Sequence, residues 1–339
     1  MKTYYRPIVE WGAGRPADAL DVAGGAGWFA AAETLNRNGA RQRIGARELP
    51  DDVQERISAP RADMVGLNFS RPRLMGVLNV TPDSFSDGGR FNAPAAALTR
   101  ALELADTGAD IVDVGGESTR PGADFVPVDE ECARTVPVIE AIRNGSNVPV
   151  SIDTRKAAVG REALRAGANL INDISALAFE PELAQVAAQT GAPVCLMHAQ
   201  GDPATMQNNP AYGDVLLDVY DFLSGRIEVA VAAGIPRDCI LVDPGIGFGK
   251  TVRHNLELLR GIGLFHALGC PILLGASRKR FIGVIADVPL ADGRAPGSIT
   301  AALAALSQGV QVIRAHDVDV TRQAMRVWQA QHIGYGEQE

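Results

Sequence analysis

The sequence predicts a parallel (β/α)8 barrel of the TIM type, preceded by an extension of about 70 residues, and three observations carry that prediction. From residue 74 onward, short apolar runs recur eight times, at 74–78, 111–114, 148–152, 170–171, 194–197, 240–242, 272–274 and 312–313. They read as nearly continuous Val, Ile and Leu without alternation, as parallel strands buried on both faces do. Between them lie stretches of helical patterning that end at glycine. The span from Leu74 to Trp328 is close to the ~250 residues of such barrels, whereas a doubly wound sheet would have fewer strands and a glycine-rich turn after the first.

Taken in order, residues 1–70 form the extension, with Gly24-Gly25, a short helix expected around residues 28–36 and a charged stretch at 47–61. Its role is open: it could cover the closed end of the barrel or add a subunit contact. The barrel is placed at 71–333, leaving 334–339 as a tail. Helical patterning follows the first strand at 95–106 and the fourth at 182–189. The seven helices between strands are expected to close at Gly108, Gly145, Gly167, Gly191, Gly234, Gly269 and Gly309, because glycine adopts the left-handed conformation of a helix C-cap. A last helix over 318–330, with Asp317 as its expected cap, carries Val320, Ala324, Val327 and Trp328 at helical spacing.

Of the 339 residues 46% are hydrophobic, enough for a large core, and 40 acidic against 32 basic side chains give a net charge of −8. That balance argues against a broad basic surface for nucleic acid or anionic lipid. Cys132, Cys195, Cys239 and Cys270 are too far apart for a CxxC site and too few for a disulfide framework, so they read as reduced, buried thiols. Neither an apolar signal segment nor a run of roughly 18 apolar residues is present, and a cytoplasmic location is expected.

In such a barrel the chemistry sits at the C-terminal ends of the strands. The polar residues there are Asn79, Asp113 with Glu117, Asp153, Asn172, His198, Asp243, Ser277 with Arg278 and Lys279, and Arg314 with His316. Any one of these could be a cap or turn former; eight together suit a flat hydrogen-bonding heterocycle beside an anionic group. The run from Gly245 to Thr251 imitates a phosphate-binding loop, but the first glycine of that motif is replaced by Pro244. His198, His254, His266, His316 and His332 lack the pairing of a zinc site, and His254, His266 and His332 read as ordinary helix-surface or helix-end residues.

The sequence MGVLNVTPDSFSDGG from Met75 to Gly89 resembles the first signature of the dihydropteroate synthase family, and GGESTRPG from Gly115 to Gly122 resembles the second. Further matches in family order are Ser151 to Thr154, Ile171 to Asp173, Met197-His198, Asp243 to Lys250, Ser277 to Arg280 and Arg314 to Asp317. The resemblance implies condensation of 6-hydroxymethyl-7,8-dihydropterin diphosphate with 4-aminobenzoate to 7,8-dihydropteroate and pyrophosphate, a transferase step of folate biosynthesis for which sulfonamides compete. It implies pterin binding by Asp153, Asn172, Met197, Asp243 and Lys279. Diphosphate binding falls to Asn79, Thr119, Arg314 and His316, and aminobenzoate binding to Thr119, Pro121, Phe248, Ser277 and Lys279. Lys279, Arg314, His316 and Asp87 are the implied catalytic residues, and Mg2+ is the implied cofactor, held through Asn79.

Loops 80–92 and 118–128 would close over the site, with Asp83, Phe85, Asp87 and Arg120 ordering with them. A homodimer is also implied. Two rivals share the barrel. A pterin-dependent corrinoid methyltransferase would not need the Ser277 to Lys279 or Arg314 to His316 sets, and a non-catalytic pterin-binding paralogue would be expected to have lost loop residues that are present here.

Overall fold

The computed structural model describes residues 2–80, 93–118, 123–201 and 205–334. The chain enters through a small antiparallel sheet of order β1-β4-β5, formed by β1 (Tyr4–Pro7), β4 (Ala31–Leu35) and β5 (Arg41–Gly45), with β2 (Leu20–Asp21) and β3 (Trp28–Phe29) as a separate two-stranded pair. The helix expected at 28–36 is therefore strand. Its alanine-rich composition favours helix, but β4 is flanked by β1 and β5, and pairing on both edges outweighs local propensity. The charged stretch supplies α1 (Asp51–Ser58), whose buried Val53 and Ile57, four apart on one face, pack with Phe29, Ala32 and Leu49.

This extension lies along the barrel's flank. Tyr4 donates its hydroxyl to Asp221, Arg37 bridges Asp218 and Asp221, and the Trp11 ring meets Trp328 edge-on at 4.8 Å. Met64 and Phe69 join Met75, Ile111, Leu170, Leu241, Leu273 and Val312 in one apolar cluster at the strands' N-terminal ends, so residues 64–69 form the barrel's floor.

Eight parallel strands follow: β6 (Arg73–Asn79), β7 (Ile111–Gly115), β8 (Val150–Asp153), β9 (Leu170–Asp173), β10 (Val194–Met197), β11 (Ile240–Asp243), β12 (Leu273–Leu274) and β13 (Val312–Ala315). They pair in the order β11-β10-β9-β8-β7-β6-β13-β12, and a parallel bridge between Val242 and Ile272 joins the two ends into a (β/α)8 barrel. Around it run α2 (Ala93–Asp106), α3 (Val128–Gly145), α4 (Ala157–Arg165), α5 (Glu182–Thr190), α6 (Val215–Ala232), α7 (Val252–Gly261), α8 (Arg280–Ala286), α9 (Ala295–Leu306) and α10 (Val318–Ile333). Two helices, α8 and α9, occupy the connection between β12 and β13.

Six of the seven expected glycine stops have positive φ; Gly145 does not, being the last residue of α3 before an extended Ser146. Asp317 precedes α10, but its carboxylate makes no cap hydrogen bond and pairs with Arg278 instead. The cysteines are free, with Cys195 and Cys270 buried and Cys132 and Cys239 only half-buried. His266, expected at a helix surface or helix end, lies in the last turn of the short helix Ile262–Leu268 but is fully buried with Nε2 against the Gln308 carbonyl, and burial pushes its pKa down to about 3. Among the described residues no helix is long and apolar enough to cross a membrane.

Candidate active site at the mouth of the barrel

Strand register determines which expected residues meet. Gly115 on β7 lies opposite Asn79 on β6 and Asp153 on β8, and a Cβ there would stand 3.6 Å from the Asp153 Cβ and 3.7 Å from Asn79 Oδ1. Asp153 is in turn level with Asn172, and Met197 with Asp243. All but Asn79 are buried, so polar groups line the upper interior of a barrel whose floor is apolar.

The centre of this set is Arg314. Its Nε donates to Asp113 Oδ2 at 2.6 Å and its Nη2 to Asp153 Oδ2 at 2.8 Å, while Asn172 Nδ2 donates to the same Asp113 oxygen at 3.3 Å. Two of the Arg314 nitrogens are thus committed to buried carboxylates, because two acids at this depth require a cation beside them. Asp113, noted at a strand end but given no part in the site, is a full member of it. The other oxygens, Asp113 Oδ1 and Asp153 Oδ1, have no hydrogen-bond partner among the described residues, which leaves two buried acceptors for a ligand with N–H groups.

Burial raises the Asp153 pKa to about 7, although Arg314 pulls it back, and raises that of Asp243 to about 6 despite the Gly245 N–H donated to Asp243 Oδ1 at 2.7 Å. A carboxyl whose folded pKa lies above its unfolded value favours the fold at low pH. For Asp153 that contribution is complete below about 3.8 and is lost as the pH rises through about 7. Asp153→Asn should therefore resist urea better than the parent at pH 8, by on the order of 1 kcal/mol, with the advantage shrinking toward pH 5. A difference that does not vary with pH would refute this origin of the shift.

On the other side of the mouth Lys279 lies with its Nζ 3.9 Å from the centre of the Phe248 ring. Gly247 makes room for it: its φ is +85°, and a Cβ there would come within 3.1 Å of Lys279 Cδ. Phe248 packs with Ile174, Met197 and Met206 into an apolar wall. Met206 comes from the connection after β10, where no periodicity marks it.

Ser277 Oγ accepts the His316 backbone N–H and lies 3.1 Å from His316 Nδ1. Burial, then the cations Arg314, Arg278 and Lys279, push the His316 pKa down to about 3, so the ring is a neutral hydrogen-bonding group. Where the Ser277 hydroxyl gives its proton to Nδ1, the ring proton is on Nε2 and free to face the mouth of the barrel.

Three strand-end residues turn away from this centre. Glu117 binds the Val126 N–H, Arg155 and Lys156, and Lys156 is fully buried against Glu131. His198 accepts from Lys250 Nζ at 2.8 Å; burial lowers the His198 pKa to about 2 and that of Lys250 to about 7. Lys250 also donates to the Phe248 carbonyl at 3.0 Å and so ties down the loop bearing the aromatic wall. Asp173, beside Asn172, spends its oxygens on Ser175 and the Leu177 N–H and serves a turn. Asp83, Phe85, Asp87, Thr119, Arg120 and Pro121 lie outside the described residues.

Among the described residues no group of three or more His, Cys, Asp or Glu could hold a metal ion. Asn79 supplies one neutral oxygen at the mouth, which suits Mg2+ arriving with a diphosphate, since that ion takes its remaining ligands from phosphate oxygens and water.

Residues 75–316 match a family model described as pterin binding enzyme. The dihydropteroate synthase of Escherichia coli strain K12 is 48% identical over 269 residues, 79% of this chain and 95% of that protein. Among solved structures, Yersinia pestis dihydropteroate synthase with a sulfonamide drug complex superposes with a TM-score of 0.74 at 49% identity, over 78% of this chain and 96% of that one. Xanthomonas albilineans dihydropteroate synthase with 4-aminobenzoic acid gives 0.75 at 46% identity, over 80% and 97%.

Proposed function

Because the chain belongs to the pterin-binding enzyme family and, within it, to the dihydropteroate synthases, we propose that the polar interior between Asp113 and Asp243 is its pterin site and the Phe248–Lys279 face its aminobenzoate site. The reaction joins 4-aminobenzoate to 6-hydroxymethyl-7,8-dihydropterin diphosphate, giving 7,8-dihydropteroate and pyrophosphate. The observation that carries the site assignment is the set of buried acceptors at Asp113 Oδ1, Asp153 Oδ1 and Asp243, beside an amide that both donates and accepts at Asn172. An amino-pyrimidinone edge needs that complement. Met197 packs beside the ring, and Lys279 donates to a ring oxygen or nitrogen.

Displacement takes place at a methylene carbon attached to an electron-rich reduced ring, so the C–O bond to the diphosphate can break ahead of nucleophile arrival. The charge of the leaving group is then the main thing to stabilise. Asn79, Thr119, Arg314 and His316 are our assignment for the diphosphate, His316 acting as a neutral Nε2–H donor. Mg2+ held through Asn79 would supply further charge neutralisation there. Phe248, Ser277, Lys279, Thr119 and Pro121 would orient aminobenzoate. Its amine is neutral at pH 7 and loses its proton once the C–N bond has formed, so no strong base is required. The extension at 1–70, Asp87 at the closing loop, a homodimer and a cytoplasmic location complete the reading.

The test is to supply both substrates with Mg2+ and measure dihydropteroate and pyrophosphate, with and without a sulfonamide. Equal, sulfonamide-sensitive formation of both products is expected; folded protein that binds the pterin and forms neither would overturn the reading. Asp243→Ala should weaken pterin binding by about 10- to 150-fold, the worth of one charge-assisted hydrogen bond. In the parent, pterin affinity should fall as the pH is lowered through about 6, where Asp243 takes up a proton. Unchanged affinity in Asp243→Ala removes that residue from the site.

A further inference from the structure

Resting on the synthase reading, we infer that Ser298 and Arg294 at the start of α9, with Asp317 ahead of α10, are positioning residues that brace Arg278 in a left-handed conformation and thereby aim Lys279. Arg278 has φ +59°, a region that costs an L residue with a side chain free energy. Such a conformation persists only where its surroundings over-determine it, and here both backbone polar atoms of Arg278 are held. Its N–H donates to Ser298 Oγ at 2.9 Å, and its carbonyl accepts from Arg294 Nη1 at 3.0 Å. Ser298 donates its own proton to the Arg294 carbonyl at 2.8 Å, so the two braces are tied to each other.

The Arg278 side chain adds a third tie, with Nε and Nη2 meeting the two oxygens of Asp317 in a fork. The residues on either side of this turn are Ser277, which holds His316, and Lys279, which lies over Phe248. A turn relaxed to negative φ would carry the Lys279 side chain off the aromatic face. The second helix between β12 and β13 thus has a role beyond packing, since its first turn locks the strand-end turn in the one geometry that places the cation.

The experiment compares Arg278→Gly with Arg278→Ala. Both lose the fork to Asp317, but only glycine adopts the left-handed region without penalty. Arg278→Gly should keep about 5- to 30-fold more kcat/KM for aminobenzoate than Arg278→Ala. Ser298→Ala should lower kcat/KM about three- to tenfold while its melting temperature stays within a few degrees of the parent's, and Ser298→Thr, which keeps the hydroxyl, should restore it. Equal activity in the glycine and alanine variants, or full activity in Ser298→Ala, overturns the brace; should the Arg278 variants not fold, the Ser298 pair decides. Wild-type turnover in the same assay keeps the two readings apart: an inactive wild type sinks the synthase reading, whereas an active one with indifferent variants sinks only the brace.

Discussion

Arg314→Met should destabilise the protein by about 3–5 kcal/mol at pH 8, because it strips the counter-ion from two buried carboxylates at once. Asp113 is fully buried and Asp153 nearly so, and both direct their Oδ2 atoms at the same guanidinium. Methionine fills much of the volume of the arginine stem, so packing loss is small and the cost is electrostatic. That gives the prediction a signature. The loss should shrink toward pH 5, where Asp153, already raised to about 7 by burial, carries its proton in either protein. Adding Asp113→Asn to the methionine variant should recover part of the loss, since it removes one of the stranded charges. Urea unfolding of the four combinations at pH 5 and pH 8 measures this; a penalty that is the same at both values, or no recovery in the double variant, would place the cost elsewhere.

The strand ends are legible in the sequence because a buried parallel strand is an apolar run, and its first polar residue marks the mouth of the barrel. Asn79, Asp153, Asn172 and Asp243 are all found there, within one residue of the expected positions. What the sequence does not hold is the direction in which a polar group turns once the chain closes. His198 and Glu117 occupy strand ends as plainly as Asp153 does, yet lysines from later segments draw them out of the site. The partnership of Arg314 with Asp113 joins residues 201 positions apart, which only closure of the barrel can set.

The extension departs from its expected structure for a related reason. Its AAETL segment is helical by composition, and becomes strand because residues before and after it pair with both edges. The first turn of α9 is invisible in the sequence because it acts through bonds to the backbone of Arg278, which no residue type announces.

Lys279→Ala should lower kcat/KM by about 10²- to 10⁴-fold, the worth of two charge-assisted hydrogen bonds lost together, one to the pterin and one to the aminobenzoate side. The two contributions can be separated, because pterin binding alone should weaken by only one bond's worth, about 10- to 150-fold. Lys279→Arg is the informative companion. Its charge and its affinity for the Phe248 face are kept, but its planar head is bulkier than an ammonium, and the lysine chain already runs so close to Gly247 that a Cβ there would stand 3.1 Å away. Arginine should therefore restore pterin affinity more than turnover; recovery of both in full would mean that charge alone matters, and recovery of neither that the site requires the compact ammonium.

The fold should respond differently. Lys279 is the residue just ahead of α8, where the cost of a cation at the positive end of a helix offsets its contact with the Phe248 ring. Removing it should leave the melting temperature unchanged or slightly raised. An inactive protein of undiminished stability is the pattern of a side chain held in place for its chemistry at some cost to the fold, and it differs from what Arg314→Met should show, where stability is lost together with the diphosphate contact assigned to that side chain.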